Sequence, residues 1–516
     1  MSSNSYWILA AIVVYLIITI VVGVVYSRRG AGSGTSEFYL GGRRLHPIVT
    51  AMSAEASDMS SYLLMGLPGL AYLCGVAEVG WTVIGLAIGT YLNFLFVAKR
   101  LRVYSNSIGA GTVPEFFAKR YEDKKHILSF IAALIILVFF IPYTASGFKA
   151  VGTLFNSLFG WDYHLSMVVG AAVIIGYTVL GGFLAVSTTD LIQSIVMTAA
   201  LVIIIFVGIS QAGGMSAVWA NAKALPGYLN LTQGYDPGSG AAGVFGAFPI
   251  ASTLAWGLGY FGMPHILLRF MAIRNPSEIK VSRRIASVWV VISMAIAVLI
   301  GIIGYSVSVS GKIPVLQGSS ESETIIIKLA DLMSKNGVFF AIVAGLIMAG
   351  ILAATMSTAD SQLLAAASSM SEDMLHDFFG IRVSQKVSML IARLTVVGVA
   401  VVGVILAWNP NSSVFRVVSF AWAGFGAAFG PVMLLALFWK RSNRTGAVCG
   451  MIAGGAMVFI WKFLIAPVGG VLAIYELLPA FILALIVDVV VSLATSAPSS
   501  SIVSTFDNVK KDCRKV

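Results

Sequence analysis

Three short stretches of this 516-residue chain bring oxygen-bearing side chains together with residues that weaken a helix. They are Ala54-Glu55-Ala56-Ser57-Asp58-Met59-Ser60-Ser61, Trp256-Gly257-Leu258-Gly259-Tyr260-Phe261-Gly262-Met263-Pro264, and Ala354-Thr355-Met356-Ser357-Thr358-Ala359-Asp360-Ser361. In the third, positions 354, 357, 358 and 361 share one helical face, so several hydroxyls point the same way, with the Asp360 carboxylate nearby. Small hard cations take oxygen ligands. Neutral hydroxyls and freed carbonyls would hold Na⁺ weakly enough to let it go again. The competing reading is that these hydroxyls bond back to their own helix carbonyls. Asp360 weighs against it, because a carboxylate inside an apolar segment is costly and usually functional.

These stretches lie in apolar segments. Hydrophobic residues make up 58% of the chain and charged residues 11%, against about a quarter charged in soluble domains. A soluble protein could not hide so much apolar surface, so the bilayer must be the main solvent. Thirteen apolar stretches of spanning length are expected, at roughly 5–26, 47–73, 77–98, 127–157, 164–185, 188–210, 245–272, 284–309, 336–370, 386–407, 415–438, 445–466 and 471–495. The first has no basic region before it and no small-residue cleavage site after it. It reads as an uncleaved helix with its N-terminus outside. With that orientation, Arg28, Arg29, Arg43, Arg44, Lys99, Arg100, Arg102, Lys119, Arg120, Lys280, Arg283, Lys440 and Arg441 fall on the cytoplasmic side. The long outside loops carry only Lys223, Lys312, Lys328 and Lys335, as the positive-inside rule requires. The loops read as ordinary connectors, and the tail from Ser496 is assigned no domain. The net charge of +11 has this topological reading, and no basic patch with interleaved aromatics suggests nucleic acid. Cys74, Cys449 and Cys513 are far apart, which argues against disulfides.

The second and seventh spans should be broken. Glycines and a proline in the seventh weaken the helix and remove a backbone donor, and open backbone survives in lipid only where it lines a cavity or packs in protein. The two spans are five apart in order. Breaks at matching places in two halves point to a transporter site built from inverted repeats, although glycines can also simply allow close helix packing. Asp58 has no obvious structural excuse. Asp190, after Ser187-Thr188-Thr189, reads either as a site residue or as the N-cap of the sixth span. His265 reads as a packing or hydrogen-bonding residue. Glu55, Glu78, Lys149 and Lys462 are further ionisable groups in or near spans, with snorkelling or local pairing as their plain reading. No two histidines have metal spacing and there is no phosphate-binding glycine motif, so ATP-driven pumping has no support.

At these residues the sequence resembles the sodium/solute symporter family, and within it the sodium/proline branch. The motifs are Ala56-Ser57-Asp58-Met59-Ser60 with Leu63 to Gly69, Gly181 to Ser187 with Asp190, Trp256 to Gly262 with Pro264-His265, Ser357-Thr358 with Ser361 to Leu364, and Ala421 to Pro431. The resemblance implies an all-α polytopic membrane protein with a LeuT-type inverted-repeat fold. It would have a ten-helix core, one N-terminal extra helix (1–46) and two C-terminal ones (445–495). The repeats would cover 47–210 and 245–438, with a cytoplasmic tail at 496–516. It implies Na⁺ bound by Ala56, Met59, Ala354, Ser357 and Thr358, supported by Asp58, Asp190, Ser361 and Asp360. It implies a solute lined by Ser60, Ser61, Tyr62, Tyr143, Trp256, Tyr260, Met263 and Pro264, and no cofactor beyond the coupling Na⁺.

The chain departs from the proline pattern at Glu55, Ser61, Tyr62 and Met263, beside the expected pocket. L-proline is the leading solute, with another amino acid or small carboxylate as the alternative. Proton coupling through Glu55, Asp58 or Asp360 is the rival within transport, and a transporter-fold receptor is the rival of another class. An enzyme would need a nucleophile–base pair or a metal cluster, and neither is present. A monomer in a bacterial inner membrane, C-terminus cytoplasmic, is the remaining expectation.

Overall fold

In the computed structural model the described residues are 3–30, 40–180, 183–381 and 383–515; side chains are described except at 26–30, 177, 180 and 385. The side chains of Arg28 and Arg29, and residues 181 and 182 of the Gly181 motif, fall outside what is described there. The described chain is mostly helical. Among the described residues, ten helices are long and apolar enough to cross a membrane. The expected spans at 47–73, 164–185 and 245–272 are also helical but shorter or broken, so the count of thirteen rests on the sequence.

The first helix is α1 (Ser3–Gly30). The second span divides into α2 (Pro47–Asp58) and α3 (Leu67–Cys74). Between them Met59 leaves helical geometry, and a widened turn runs over Tyr62–Gly66. Then come α4 (Val76–Leu92), α5 (Ile127–Phe159), α6 (Tyr163–Leu180) and α7 (Phe183–Gln211). The seventh span begins as α8 (Ala247–Leu254), tightens into three-residue turns over Ala255–Gly262, becomes extended at Met263, and resumes as α9 (Pro264–Ala272). Pro264 is tolerated because it sits in the first turn of α9, where its missing N–H is not needed. The chain continues as α10 (Ile279–Val309), α11 (Val338–Ser368), α12 (Gln385–Leu406), α13 (Val414–Phe438), α14 (Arg444–Ile460) and α15 (Leu477–Ala494).

Two connectors hold more structure than their composition announced. The loop after α7 contains the hairpin β1 (Gln233–Asp236) and β2 (Ala241–Val244). The tail forms α16 (Ser500–Lys515). Its Ile502, Phe506 and Val509 lie along one face and are buried. Phe506 lies 4.8 Å under the Arg100 guanidinium.

The broken helices are sheathed by protein, as open backbone in a membrane must be. Nearly every residue of α11 from Ile347 to Ser368 is buried, and so is α2 from Thr50 onward. Glycine allows the closest approach: a Cβ at Gly259 would collide with Trp422 Nε1. That indole donates to the Trp256 carbonyl at 2.8 Å, and Asn93 Nδ2 donates to the Tyr260 carbonyl at 3.0 Å. Side chains thus satisfy carbonyls that the irregular turn leaves without ladder partners.

Candidate functional site

The break in α2 faces the middle of α11. Ser357 Oγ donates to the Ala56 carbonyl at 2.7 Å and lies 3.2 Å from the Ala354 carbonyl. Thr358 Oγ1 bonds the Ala354 carbonyl at 3.1 Å. Residues 301 positions apart therefore share one oxygen-rich point. The hydroxyls do bond back to their own helix, as the competing reading held, and Ser357 also reaches across. Met59, directly after the last helical residue of α2, bonds through its N–H to the Glu55 carbonyl at 2.8 Å.

Asp58 lies at this break. Its carboxylate accepts from Tyr260 Oη at 2.5 Å, and its carbonyl accepts from Tyr143 Oη at 3.0 Å. Among the described residues no cationic side chain pairs with it. Ser60 Oγ accepts from the Tyr62 N–H at 3.2 Å. Tyr62 and Trp256 stack with centroids 5.5 Å apart. Ser60, Ser61, Tyr62, Tyr143, Trp256, Tyr260, Met263 and Pro264 are all buried. Glu55 Oε2, Ser61 Oγ and Tyr62 Oη are buried with no hydrogen-bond partner among the described residues. Unmet polar atoms among buried residues are costly and mark where a polar ligand would be welcome.

A second polar cluster lies about one turn back along α2. Asp190 is not the cap of its helix: α7 begins at Phe183, so Asp190 stands inside it and is fully buried. Its Oδ2 accepts from Ser53 Oγ at 2.6 Å, Ser57 Oγ at 3.2 Å and Arg269 Nη2 at 3.2 Å. Arg269 also donates through Nη2 to Ser361 Oγ and through Nε to Ser53 Oγ at 3.0 Å. Ser57 and Ser361 hydroxyls are 2.9 Å apart. This network ties α2, α7, α9 and α11 together. Arg269 was missed by sequence reasoning. The available signal was a lone arginine inside an apolar span, four residues after His265, whose carbonyl its Nη1 holds at 2.8 Å.

Asp360 does not join the others. Its carboxylate accepts from Thr178 on α6, on a different face of α11 from Ser357 and Ser361. His265 is fully buried in contact with Phe140, ring centroids 5.7 Å apart. Lys149 pairs with Glu323 at 3.2 Å; Glu323 in turn accepts from Ser413 Oγ at 2.6 Å and from the Val414 and Phe415 N–H groups at the start of α13. Among the described residues no three His, Cys, Asp or Glu side chains gather in a metal-binding arrangement.

To one side of the break, Trp256 stacks between Tyr62 and Tyr475, the latter at 5.0 Å. By the far end of α9, Arg43 donates to the Met271 carbonyl at 2.7 Å and the Ala110 carbonyl at 2.6 Å, while Leu45 pairs with the strand-like segment through Ala272 and Arg274. Burial, with Arg102 nearby, pushes the Arg43 guanidinium down to about 10, which still leaves it charged at neutral pH.

The model of the sodium:solute symporter family matches residues 38–454. A sodium/proline symporter of Staphylococcus aureus strain USA300 is 40% identical over 511 residues, 98% of this chain and 96% of the relative. Two solved structures share the fold. One is a Na⁺-coupled sialic acid symporter in a substrate-bound outward-open state, with TM-score 0.76 at 19% identity over 96% of this chain and 99% of that one. The other is a nucleobase-cation-symport-1 family transporter in a closed conformation, with TM-score 0.57 at 15% identity over 92% and 99%.

Proposed function

The chain belongs to the sodium:solute symporter family, with a LeuT-type fold, and on that premise we propose that it carries L-proline inward with Na⁺ by alternating access. It is a transporter and not an enzyme, and Na⁺ is its coupling ion, as the family and the names of its relatives indicate. The observation that carries the ion site is the 2.7 Å bond between Ser357 and Ala56. It joins a broken helix to an unbroken one through oxygens alone. In our reading Na⁺ enters among the carbonyls of Ala56, Met59 and Ala354 and the hydroxyls of Ser357 and Thr358. The hydroxyl hydrogens turn away and the lone pairs face the ion. Asp58 supplies the compensating charge.

Proline would then lie against Tyr143, Trp256, Tyr260 and Pro264, with Ser60, Ser61, Tyr62 and Met263 shaping the rest of the chamber. Aromatic walls suit the ring, and donors near the break suit the carboxylate. We assign one Na⁺ per solute. Asp190 and Ser361 are both held by Arg269, so that position already carries a positive charge. One charge through about 100 mV contributes roughly 2.3 kcal/mol and a tenfold Na⁺ gradient about 1.4 kcal/mol. Together they support a few-hundredfold accumulation, so one ion suffices.

In this proposal residues 47–210 and 245–438 are the two inverted repeats and the protein works as a monomer in a bacterial inner membrane. The N-terminus is outside, and the side where Trp256 stacks on Tyr475 faces outward. Na⁺ and solute act only through their different affinities for the outward- and inward-open states. The test is uptake of a radiolabelled amino-acid panel into liposomes. Saturable proline uptake that requires a Na⁺ gradient is expected. Uptake driven equally by a pH gradient in Na⁺-free buffer would replace Na⁺ by H⁺, with Glu55, Asp58 and Asp360 as the carriers to test.

A further inference from the structure

Alongside α10 runs a groove of about 490 Å³ that takes no part in the transport cycle described so far. Its walls come from three helices: Met52 on α2, Thr198 on α7, and the α10 face that runs from Arg284 through Val288 and Ile292 to Ile296. Val288 and Ile292 are exposed on it. On a helix that crosses a membrane, lipid is the medium such side chains meet. Residues 284, 288, 292 and 296 recur every four positions and so share one face. At about 1.5 Å per residue that face is about 18 Å long. One leaflet's half of a hydrocarbon core of about 30 Å is about 15 Å. The groove therefore has the length of one lipid acyl chain.

The hydroxyls that line it are spent within the protein. Trp289 Nε1 donates to Thr198 Oγ1 at 2.8 Å, which joins α10 to α7. Thr198 Oγ1 donates to the Ser194 carbonyl and Ser293 Oγ to the Trp289 carbonyl, both at 2.7 Å. What remains is apolar, with one exception at one end. Arg284 lines the groove near the start of α10, is exposed, and has no hydrogen-bond or ion-pair partner among the described residues. The acidic residue nearest to it in the chain, Glu278, is held by Arg274 through bonds of 2.8 and 2.7 Å. Lys280 and Arg283 add two more cations to the same end of α10. A guanidinium binds a phosphate with two parallel hydrogen bonds. Basic pockets between membrane helices attract anionic headgroups, and a surplus of cations favours one that brings no ammonium of its own.

We propose that this groove is a site for one anionic phospholipid of the leaflet that meets the start of α10, with its phosphate on Arg284 and one acyl chain laid along the groove against Met52. Met52 directly precedes Ser53, whose hydroxyl joins the Asp190–Arg269 network. The bound chain therefore braces the part of α2 that lies before the break. The proposal does not depend on which solute or ion is carried.

The experiment is native mass spectrometry of the purified, delipidated full chain in detergent, titrated with dioleoylphosphatidylglycerol or dioleoylphosphatidylethanolamine, beside melting in the same lipids. One phosphatidylglycerol molecule should bind about tenfold more tightly than phosphatidylethanolamine, and it should raise the melting temperature by several degrees, as a ligand of the native state does. R284Q should lose that preference by weakening phosphatidylglycerol about tenfold, the scale of one charge-assisted contact. I292W fills the groove, leaves Arg284 in place and should weaken both lipids. Both positions are exposed, so without lipid these variants should melt with the unaltered protein. K511Q removes an exposed cation from the tail helix and should keep the preference. Glycerol phosphate, a head without a chain, should not displace the lipid. Equal binding of the two lipids, or an unchanged preference in R284Q, overturns the headgroup contact and with it the proposal. Unchanged binding in I292W, or displacement by glycerol phosphate, overturns the groove. Loss of the preference in K511Q as in R284Q would make it a property of basic surface in general, and the proposal falls.

Discussion

Asp58 and Asp190 are both buried carboxylates in contact with α2 or part of it, yet their surroundings differ in the one respect that matters to a cation. Asp190 meets a guanidinium and two hydroxyls. Asp58 meets a phenol. Removing an ion from water costs several kcal/mol even after relaxation. A fixed partner offsets that cost permanently at Asp190. At Asp58 no cation among the described residues does, and the nearby oxygens of Ala56, Ser357 and Ala354 are suited to one that comes and goes. The contrast separates a structural charge on α7 from a coupling charge at the end of α2, both packed on neighbouring turns of α2: the first should matter for folding, the second for Na⁺.

The strongest break in this comparison is R269Q. Asp190 would keep its charge without its partner, a loss of about 3–5 kcal/mol for a buried pair. We expect a large fall in folded protein and thermal stability, with much of it restored by D190N/R269Q. Fluorescence-detected size exclusion and melting in detergent read this out. A stable R269Q that needs more Na⁺ for half-maximal uptake would move Asp190 into the coupling class.

D58N tests the other side. It should fold and melt near the unaltered protein, because the amide still accepts from Tyr260. Its Na⁺ half-saturation should rise by roughly a hundredfold, equivalent to about 2.7 kcal/mol of ion binding. A loss of folding with normal Na⁺ dependence in the remaining protein would invert the assignment. S357A and T358A should each have a smaller effect, near tenfold in Na⁺ half-saturation, because each removes one neutral ligand and leaves the carbonyls. An unchanged Na⁺ dependence in both would take these hydroxyls out of the ion site.

The smallest effect is expected in the solute chamber. M263Q and S61G adjust its wall without touching either carboxylate. They should leave stability and Na⁺ dependence unchanged and shift the ranking of amino acids in uptake by a few-fold. An identical solute profile in both variants would show that selectivity lies elsewhere among the chamber residues.

Much of this molecule was legible in the sequence because its cause is local. An apolar run of about twenty residues spans wherever it occurs, and Gly257, Gly259, Gly262 and Pro264 loosen the helix they sit in whatever surrounds them. The broken spans and the shared face of Ser357, Thr358 and Ser361 followed from that. The N-cap alternative at Asp190 was local too: a Ser-Thr-Thr-Asp run resembles a helix start, and the helix in fact begins earlier, at Phe183. The tail helix Ser500–Lys515 has a local pattern too, which becomes visible once Phe506 is seen to have Arg100 and Arg120 to pack against.

What tertiary structure alone decided is the pairing of charges. Arg269 reaches Asp190 across 79 positions, Tyr260 reaches Asp58 across 202, and Ser357 reaches Ala56 across 301. Hydropathy and helix breaking are sums over neighbours in the chain. Whether a buried carboxylate is balanced depends on the nearest cation in space, which no window of sequence contains. The sequence therefore determined where charge must enter the apolar interior, and the packing of α2, α7, α9 and α11 decided which of those charges is held by the protein itself and which is left for an ion.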